Sequence, residues 1–296
     1  MSDGNSAASL RRKMDSAGEL QSVVRTMKAM AAASIGQYEN ALRSLDAYYH
    51  TVQLALSACF QQGKHSAPAN RAGQEATAVI GVVVFGSDQG LVGPFNEAMA
   101  DFVVTTMDGV AGEKIIWTVG ERIESRMADT ALTPAGSFSL PNSIDAITPL
   151  VGQILAAVEA LREKNETSRI YLCHHRPESG ATYVPVSQRL LPLDASWRHD
   201  LSQIAWPTRL VPEVLNDPTQ ALLAFVREYL FVSIFRACAQ SLASENASRL
   251  AAMQRAEKNI DELLADLGQT YHQLRQSSID EELFDVVSGF EALSKG

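Results

Sequence analysis

Apolar residues recur at intervals of seven along both ends of this chain. The first series is Leu10, Ala17, Val24, Ala31, Tyr38, Leu45 and Val52. Met14, Leu20, Met27, Ile35, Leu42, Tyr48, Tyr49 and Leu56 lie three or four residues on. The second series is Phe225, Val232, Ala239, Asn246, Met253, Ile260, Leu267 and Leu274, with Phe235, Leu242, Ala256, Leu263, Leu264 and Tyr271 as companions. Sevens sustained this long keep one stripe facing a partner only if the helix supercoils left-handed, because the stripe would otherwise drift around a straight helix. All eleven prolines lie between Pro68 and Pro218. Neither end therefore carries a residue that costs roughly 3 kcal/mol inside a helix. About 50 helical residues at the front would reach about 75 Å, and about 70 at the back about 105 Å, where an ordinary domain spans about 30 Å. Such helices need each other's apolar faces. Two amphipathic helices lying on a globular core are the competing reading, but at this length they would overhang it.

Between the ends the periodicity changes. Residues 59–77 are rich in Gln, Gly, Ser, Pro, Ala and Asn and read as a linker. Ala78 to Phe85 is a continuous apolar run rich in β-branched residues, the pattern of a strand buried on both faces. Helical spacing over Phe95–Met107, a strand at Ile115–Val119, a short helix at Glu121–Met127, a helix at Ile144–Lys164 and a strand at Arg169–His174 follow. Tyr183 to Leu193 alternates and adds a candidate edge hairpin. Strands alternating with helices predict a doubly wound parallel sheet. The expected fold is therefore α/β, with a long coiled coil of terminal helices (residues 1–58 and 215–296) around a central α/β domain (residues 78–214).

Composition narrows the function. The 296 residues are 46% apolar, enough for a real core. No run of about 18 uncharged apolar residues exists, so no membrane span is expected. The richest stretch, Tyr229 to Leu242, is broken by Arg236, Gln240 and Ser241. Met1 to Ser9 has no apolar signal core and no arginine-rich transit character. Cys59, Cys173 and Cys238 are too far apart in sequence for a metal motif and form no disulfide framework. The net charge is −9, which argues against nucleic acid as a partner. The front helix gathers its cations at Arg11-Arg12-Lys13 and at Arg25 and Lys28, and a basic cluster of this size suits an acidic protein surface. Solvated charges on an outer helix face are the plainer alternative.

Candidate chemistry is sparse. The turn Gly86-Ser87-Asp88-Gln89-Gly90-Leu91-Val92-Gly93-Pro94-Phe95-Asn96 leaves a strand and enters a helix, where phosphates often bind. It lacks the dinucleotide spacing and no Gly-Lys-Ser/Thr follows. A structural turn is the better reading. His174 and His175 are adjacent on a strand, point to opposite faces and cannot chelate together. No catalytic residue, metal ligand set or cofactor site declares itself.

Several segments together resemble one family. Leu242-Ala243-Ser244-Glu245-Asn246-Ala247-Ser248-Arg249-Leu250-Ala251-Ala252-Met253, then Lys258-Asn259 and Arg275-Gln276-Ser277-Ser278-Ile279, resemble the gamma subunit of F-type ATP synthases. The run from Ile279 to Ala292 is similar to that family's terminal signature, Thr26 to Ala33 to its first helix, and Ser87 to Asn96 to a turn of its central domain. The resemblance implies a non-catalytic rotor shaft. Its terminal helices pair antiparallel inside a ring of three alpha and three beta subunits and couple ion translocation to the ring's conformational cycle. It further implies an epsilon subunit and a membrane c-ring as partners, and a peripheral location on the cytoplasmic face of a bacterial inner membrane without direct insertion. Residue by residue, Met27 and Lys28 match positions facing an acidic beta-subunit loop. Arg249, Arg275 and Gln276 match positions of contact with the ring or between the helices. For Met27 the alternative is coiled-coil packing; for Arg249 it is a polar seam residue that sets register with Asn246. Asp280, Phe290 and the stretch Ser34-Ile35-Gly36 depart from the family's usual residues. A coiled-coil scaffold unrelated to ATP synthesis and a nucleotide-binding α/β enzyme are the readings from other classes.

Overall fold

A computed structural model of the chain describes residues 6–62, 79–165, 168–178, 182–193, 195–210, 212–213 and 217–294. The elements are α1 (Ala7–Gln62), β1 (Val79–Phe85), α2 (Phe95–Asp108), β2 (Glu113–Val119), α3 (Glu121–Ala128), β3 (Pro134–Phe138), α4 (Ile147–Lys164), β4 (Arg169–Pro177), β5 (Tyr183–Leu191), α5 (Ala195–Gln203) and α6 (Pro218–Ser294). The chain divides into two compact units, one of residues 1–31 with 250–296 and one of residues 32–249. Both long helices contribute to each. Of the expected linker, residues 59–62 are the last turn of α1, and 63–77 lie outside the described residues.

In the first unit α1 and α6 run antiparallel. Gln21 donates to Asp261, and Arg25 Nε to Glu257 Oε1 at 2.9 Å, so rising numbers on one helix meet falling numbers on the other. Ala17 and Val24 of the first series of sevens meet Met253 and Ile260 of the second, with Met27, Ala252, Ala256 and Leu264 packed against them. Leu20 and Leu263, expected in the stripe, are instead about half exposed, at 54% and 50%. Two helices cover only one side of each other, and an apolar stripe wider than the seam leaves its flank in solvent.

In the second unit the sheet order is β3-β2-β1-β4-β5. β1 pairs in parallel with β2 and β4, β3 in parallel with β2, and β5 antiparallel with β4. The apolar run of β1 is buried at every position, because both faces are covered. Ile80, Val82 and Val84 face Met99, Val103 and Met107 of α2 and Ile123 and Met127 of α3. Val79, Val83 and Phe85 belong to the opposite core, with α4 residues Ile147, Leu150, Val151, Ile154, Val158 and Leu161. That second core also takes in Val52 and Leu56 of α1 and Tyr229, Leu230, Ile234, Ala237, Cys238 and Leu242 of α6. The apolar stretch of α6 is thus core packing. Among the described residues no helix is long and apolar enough to cross a membrane.

α6 starts where local chemistry dictates. Asp217 accepts from the Thr219 amide at 3.2 Å through its side chain and from the Ala221 amide at 3.0 Å through its carbonyl. Pro218, which has no amide proton to waste, occupies the first helical position. Two elements lack a sequence signal. β3 (Pro-Ala-Gly-Ser-Phe) has no β-branched residue and is held by its pairing to β2, and α5 is short and polar.

The seam yields a direct test. Ile260 is 7% exposed, and placing a carboxylate there leaves a charge without a partner. Ile260→Asp should destabilise the helix pair by about 3 kcal/mol or more. Leu263→Asp, on the open flank, should cost less than about 0.5 kcal/mol. Denaturant titration of the two variants, followed by helical circular dichroism, measures the difference.

Candidate functional site

The glycine-rich turn between β1 and α2 is filled by its own side chains. The Ser87 amide donates to Asn96 Oδ1 at 3.0 Å, Asn96 Nδ2 to Ser87 Oγ at 2.8 Å, and Ser87 Oγ to the Gln89 carbonyl at 2.9 Å. At the start of α3, the Glu121 amide donates to Asp88 Oδ1 at 3.0 Å and the Arg122 amide to the Ser87 carbonyl at 2.9 Å. The amides of Ser87, at the end of β1, and of Glu121 and Arg122, at the start of α3, are therefore committed and cannot cradle a phosphate. The glycines serve close packing: a Cβ at Gly86 would lie 2.2 Å from Ile123 Cβ, and one at Gly120 (φ +114°) 2.8 Å from the Ser87 carbonyl oxygen.

The same turn is fastened to α6. Gln240, Ser244 and Ser248 recur every fourth residue and line one face of that helix. Ser248 Oγ donates to the Val92 carbonyl. That uses its only proton, so Tyr183 is the donor in the 2.9 Å contact between their hydroxyls. Ser244 Oγ donates to the His175 carbonyl at 3.3 Å, and His174 Nε2 donates to Gln240 Oε1 at 2.8 Å. His175 Nε2 donates to the Phe95 carbonyl at 2.9 Å, and its ring lies 4.2 Å from the Phe95 ring and 4.8 Å from that of Tyr183. The histidine pair is a fixing device, each ring with its own partner. Burial pushes both imidazoles down to about 4, so both are neutral at pH 7.

The five residues matched to contact positions do not form one patch. Met27 packs on the seam of the first unit. Lys28 is ion-paired to Glu257, which also holds Arg25; hydrogen bonds from Lys28 and then Arg25 lower the Glu257 pKa. Arg275 and Gln276 are exposed on the same unit, eighteen residues beyond Glu257 on α6, about 27 Å along a straight helix. Arg249 belongs to the second unit. Its guanidinium reaches Glu245 Oε1 at 2.6 Å and Asn246 Oδ1 at 3.5 Å, with the arginine side chain 13% and the glutamate side chain 5% exposed. Burial raises the Glu245 pKa and Arg249 pulls it back down.

One surface was not anticipated. Stepping equally back from Gln21 and on from Asp261 brings Ala7, the first residue of α1, level with Arg275. Beyond that level no described residue of α1 lies beside α6. The overhang exposes Ile279, Leu283, Phe284 (75%), Val286 and Val287. Surfaces this apolar on a single helix are built for a partner. The available signal was the row of apolar residues Ile279, Leu283, Phe284, Val286 and Val287 near the end of α6.

This arrangement has relatives. The ATP synthase family profile matches residues 6–293. The chain belongs to the gamma family of ATP synthases. It is 23% identical over 287 residues to the ATP synthase gamma chain of Xanthomonas oryzae pv. oryzae, covering 96% of this chain and 98% of that one. It is 25% identical over 297 residues to that of Bdellovibrio bacteriovorus, covering 96% and 97%. In structure it is similar to a chain of the Euglena gracilis mitochondrial ATP synthase OSCP/F1/c-ring assembly, with a TM-score of 0.68 at 17% identity over 98% of this chain and 95% of that chain. A chain of the Tetrahymena thermophila central stalk and c-ring gives 0.56 at 21% identity, over 79% and 99%. The gamma family supplies the central rotor stalk of the F-type enzyme.

The buried histidines of this gamma-family chain give it a pH dependence. Unfolded imidazoles titrate near 6.5, so the unfolded chain takes up protons first as pH falls. The contribution of the neutral rings is therefore full above about pH 6.5 and is lost as pH falls toward 4, on the order of 3 kcal/mol per ring. Denaturant midpoints should drop across that window. A His174→Gln, His175→Gln double variant should show a shallower drop.

Proposed function

We propose that this gamma-family chain transmits torque as a non-catalytic shaft. In this reading it passes rotation of an ion-driven membrane c-ring to the catalytic ring of alpha and beta subunits, with an epsilon subunit bound alongside. The carrying observation is the apolar overhang of α6 at residues 279–287, a helix end that needs an enclosing sleeve. A ring of three alike sites is driven through different conformations only if the shaft interacts with those conformations unequally. Stiff paired helices with a chemically shaped surface meet that need without any nucleophile, and the turn's committed amides count against a nucleotide-binding enzyme. The reading includes a peripheral position on the cytoplasmic face of a bacterial inner membrane.

Met27, Lys28, Arg275 and Gln276 are assigned to ring contact on this reading. Arg249 is assigned to holding helix register through Glu245 and Asn246, and acts on the ring through that geometry. Two experiments test the reading. Phe284→Asp with Leu283→Asp should leave the isolated chain's stability within about 0.5 kcal/mol, since both sites are exposed, while recovery of the chain with its ATPase complex falls severalfold. Undiminished recovery would remove the sleeve from the proposal. Met27→Lys adds a cation beside Lys28, and in reconstituted vesicles the ratio of ion pumping to ATP hydrolysis should fall while hydrolysis survives. A proportional fall in both, or no change, would make Met27 ordinary seam packing.

A further inference from the structure

We propose that a cleft of the second unit, between the β4–β5 edge of the sheet and helices α1 and α6, is a binding site for a small oxyanion of the phosphate class. The proposal is independent of the shaft reading. The cleft holds about 290 Å³ and is walled by Tyr49 of α1, His174 and Arg176 of β4, Gln188 of β5, and Arg236 and Gln240 of α6. Two of these side chains are cationic, Arg236 being also paired with Asp46, and among the described residues no carboxylate lines the cleft. Such a wall selects an anion.

The donors are preset. Arg236 is held by Asp46 at 3.0 Å and lies 5.0 Å over the Tyr49 ring, while its Nε has no hydrogen-bond partner among the described residues. Arg176 is exposed at the mouth. His174, 3% exposed, spends its Nε2 proton on Gln240 and keeps a buried Nδ1 with no partner among the described residues. A buried ring nitrogen left unbonded is costly.

The tautomer selects the chemistry. With the proton on Nε2, Nδ1 is an acceptor and takes an N–H or O–H donor. The arginines need acceptors, and planar guanidinium suits multi-oxygen anions. Hydrogen phosphate offers an O–H and charged oxygens together, whereas a carboxylate offers oxygens alone. The charged groups facing His174 are Arg176 of β4 and Arg236 of α6, with neighbouring His175; Asp46 of α1 is turned to Arg236. Burial and the two arginines oppose its protonation, and a bound anion would offset the arginines. Phosphate binding should therefore raise the His174 proton affinity.

The test is titration of the purified full chain with inorganic phosphate, by calorimetry and by nitrogen NMR of the histidine rings. One saturable site with a dissociation constant below about 1 mM is expected. Arg176→Gln, at an exposed position, should weaken it at least about fivefold, and Gln188→Leu should also weaken it. The His174 titration should move up by at least about one pH unit with phosphate, and acetate should bind at least about tenfold more weakly. No saturation by about 20 mM phosphate, unchanged affinity in both variants, or a His174 ring indifferent to phosphate would overturn the proposal. Equal affinity for acetate would overturn the choice of phosphate.

Discussion

Between Tyr229 and Ala243, helix α6 is too apolar to stand in water, and the second unit is organised around burying it. Tyr229, Leu230, Ile234, Ala237, Cys238 and Leu242 lie in the core that covers one face of the sheet. Each large side chain so placed contributes roughly 1.5–3 kcal/mol. α4 and the Val52–Leu56 turn of α1 complete that core. The opposite face needs only α2 and α3. A single helix thereby supplies both a wall of an α/β domain and one strand of a paired-helix seam.

Apolar packing alone would let such a helix slide or rotate over the sheet at little cost. The polar row Gln240, Ser244 and Ser248 prevents this, because each group is satisfied at one position only: the His174 ring, the His175 carbonyl and the Val92 carbonyl. A slip of one residue would leave buried donors and acceptors unbonded. The buried pair Glu245–Arg249 adds a charged lock just beside this row. A part that transmits force needs a joint of this kind, which is the link from hydrogen-bond geometry to the work of a gamma-family stalk.

The sheet and its helices were legible because burial on two faces writes long apolar runs, as in β1, and one-sided burial writes helical spacing, as in α4. β3 was not legible, since a strand such as Pro134-Ala-Gly-Ser-Phe138 is defined by the neighbour it pairs with. Of the family-matched residues, Met27 and Lys28 meet the seam and Glu257, while Arg275 and Gln276 lie far along α6. Sequence proximity to motifs carried no information on that spacing. Helix register set it, and register comes from cross-helix pairs such as Gln21–Asp261 and Arg25–Glu257.

By itself the sequence determined two long helices without interior proline and with heptad seams, a doubly wound centre and the absence of a phosphate motif, because these are consequences of local sterics and of periodic burial. The tertiary structure decided which flank of each stripe stayed open, where α6 outran α1, and which polar groups closed on one another. Those outcomes depend on contacts between residues distant in sequence, 66 positions for His174 with Gln240 and 240 for Gln21 with Asp261. A buried Nδ1 on His174 or an exposed Phe284 is set by what the fold brings near it, and no local pattern encodes that neighbour.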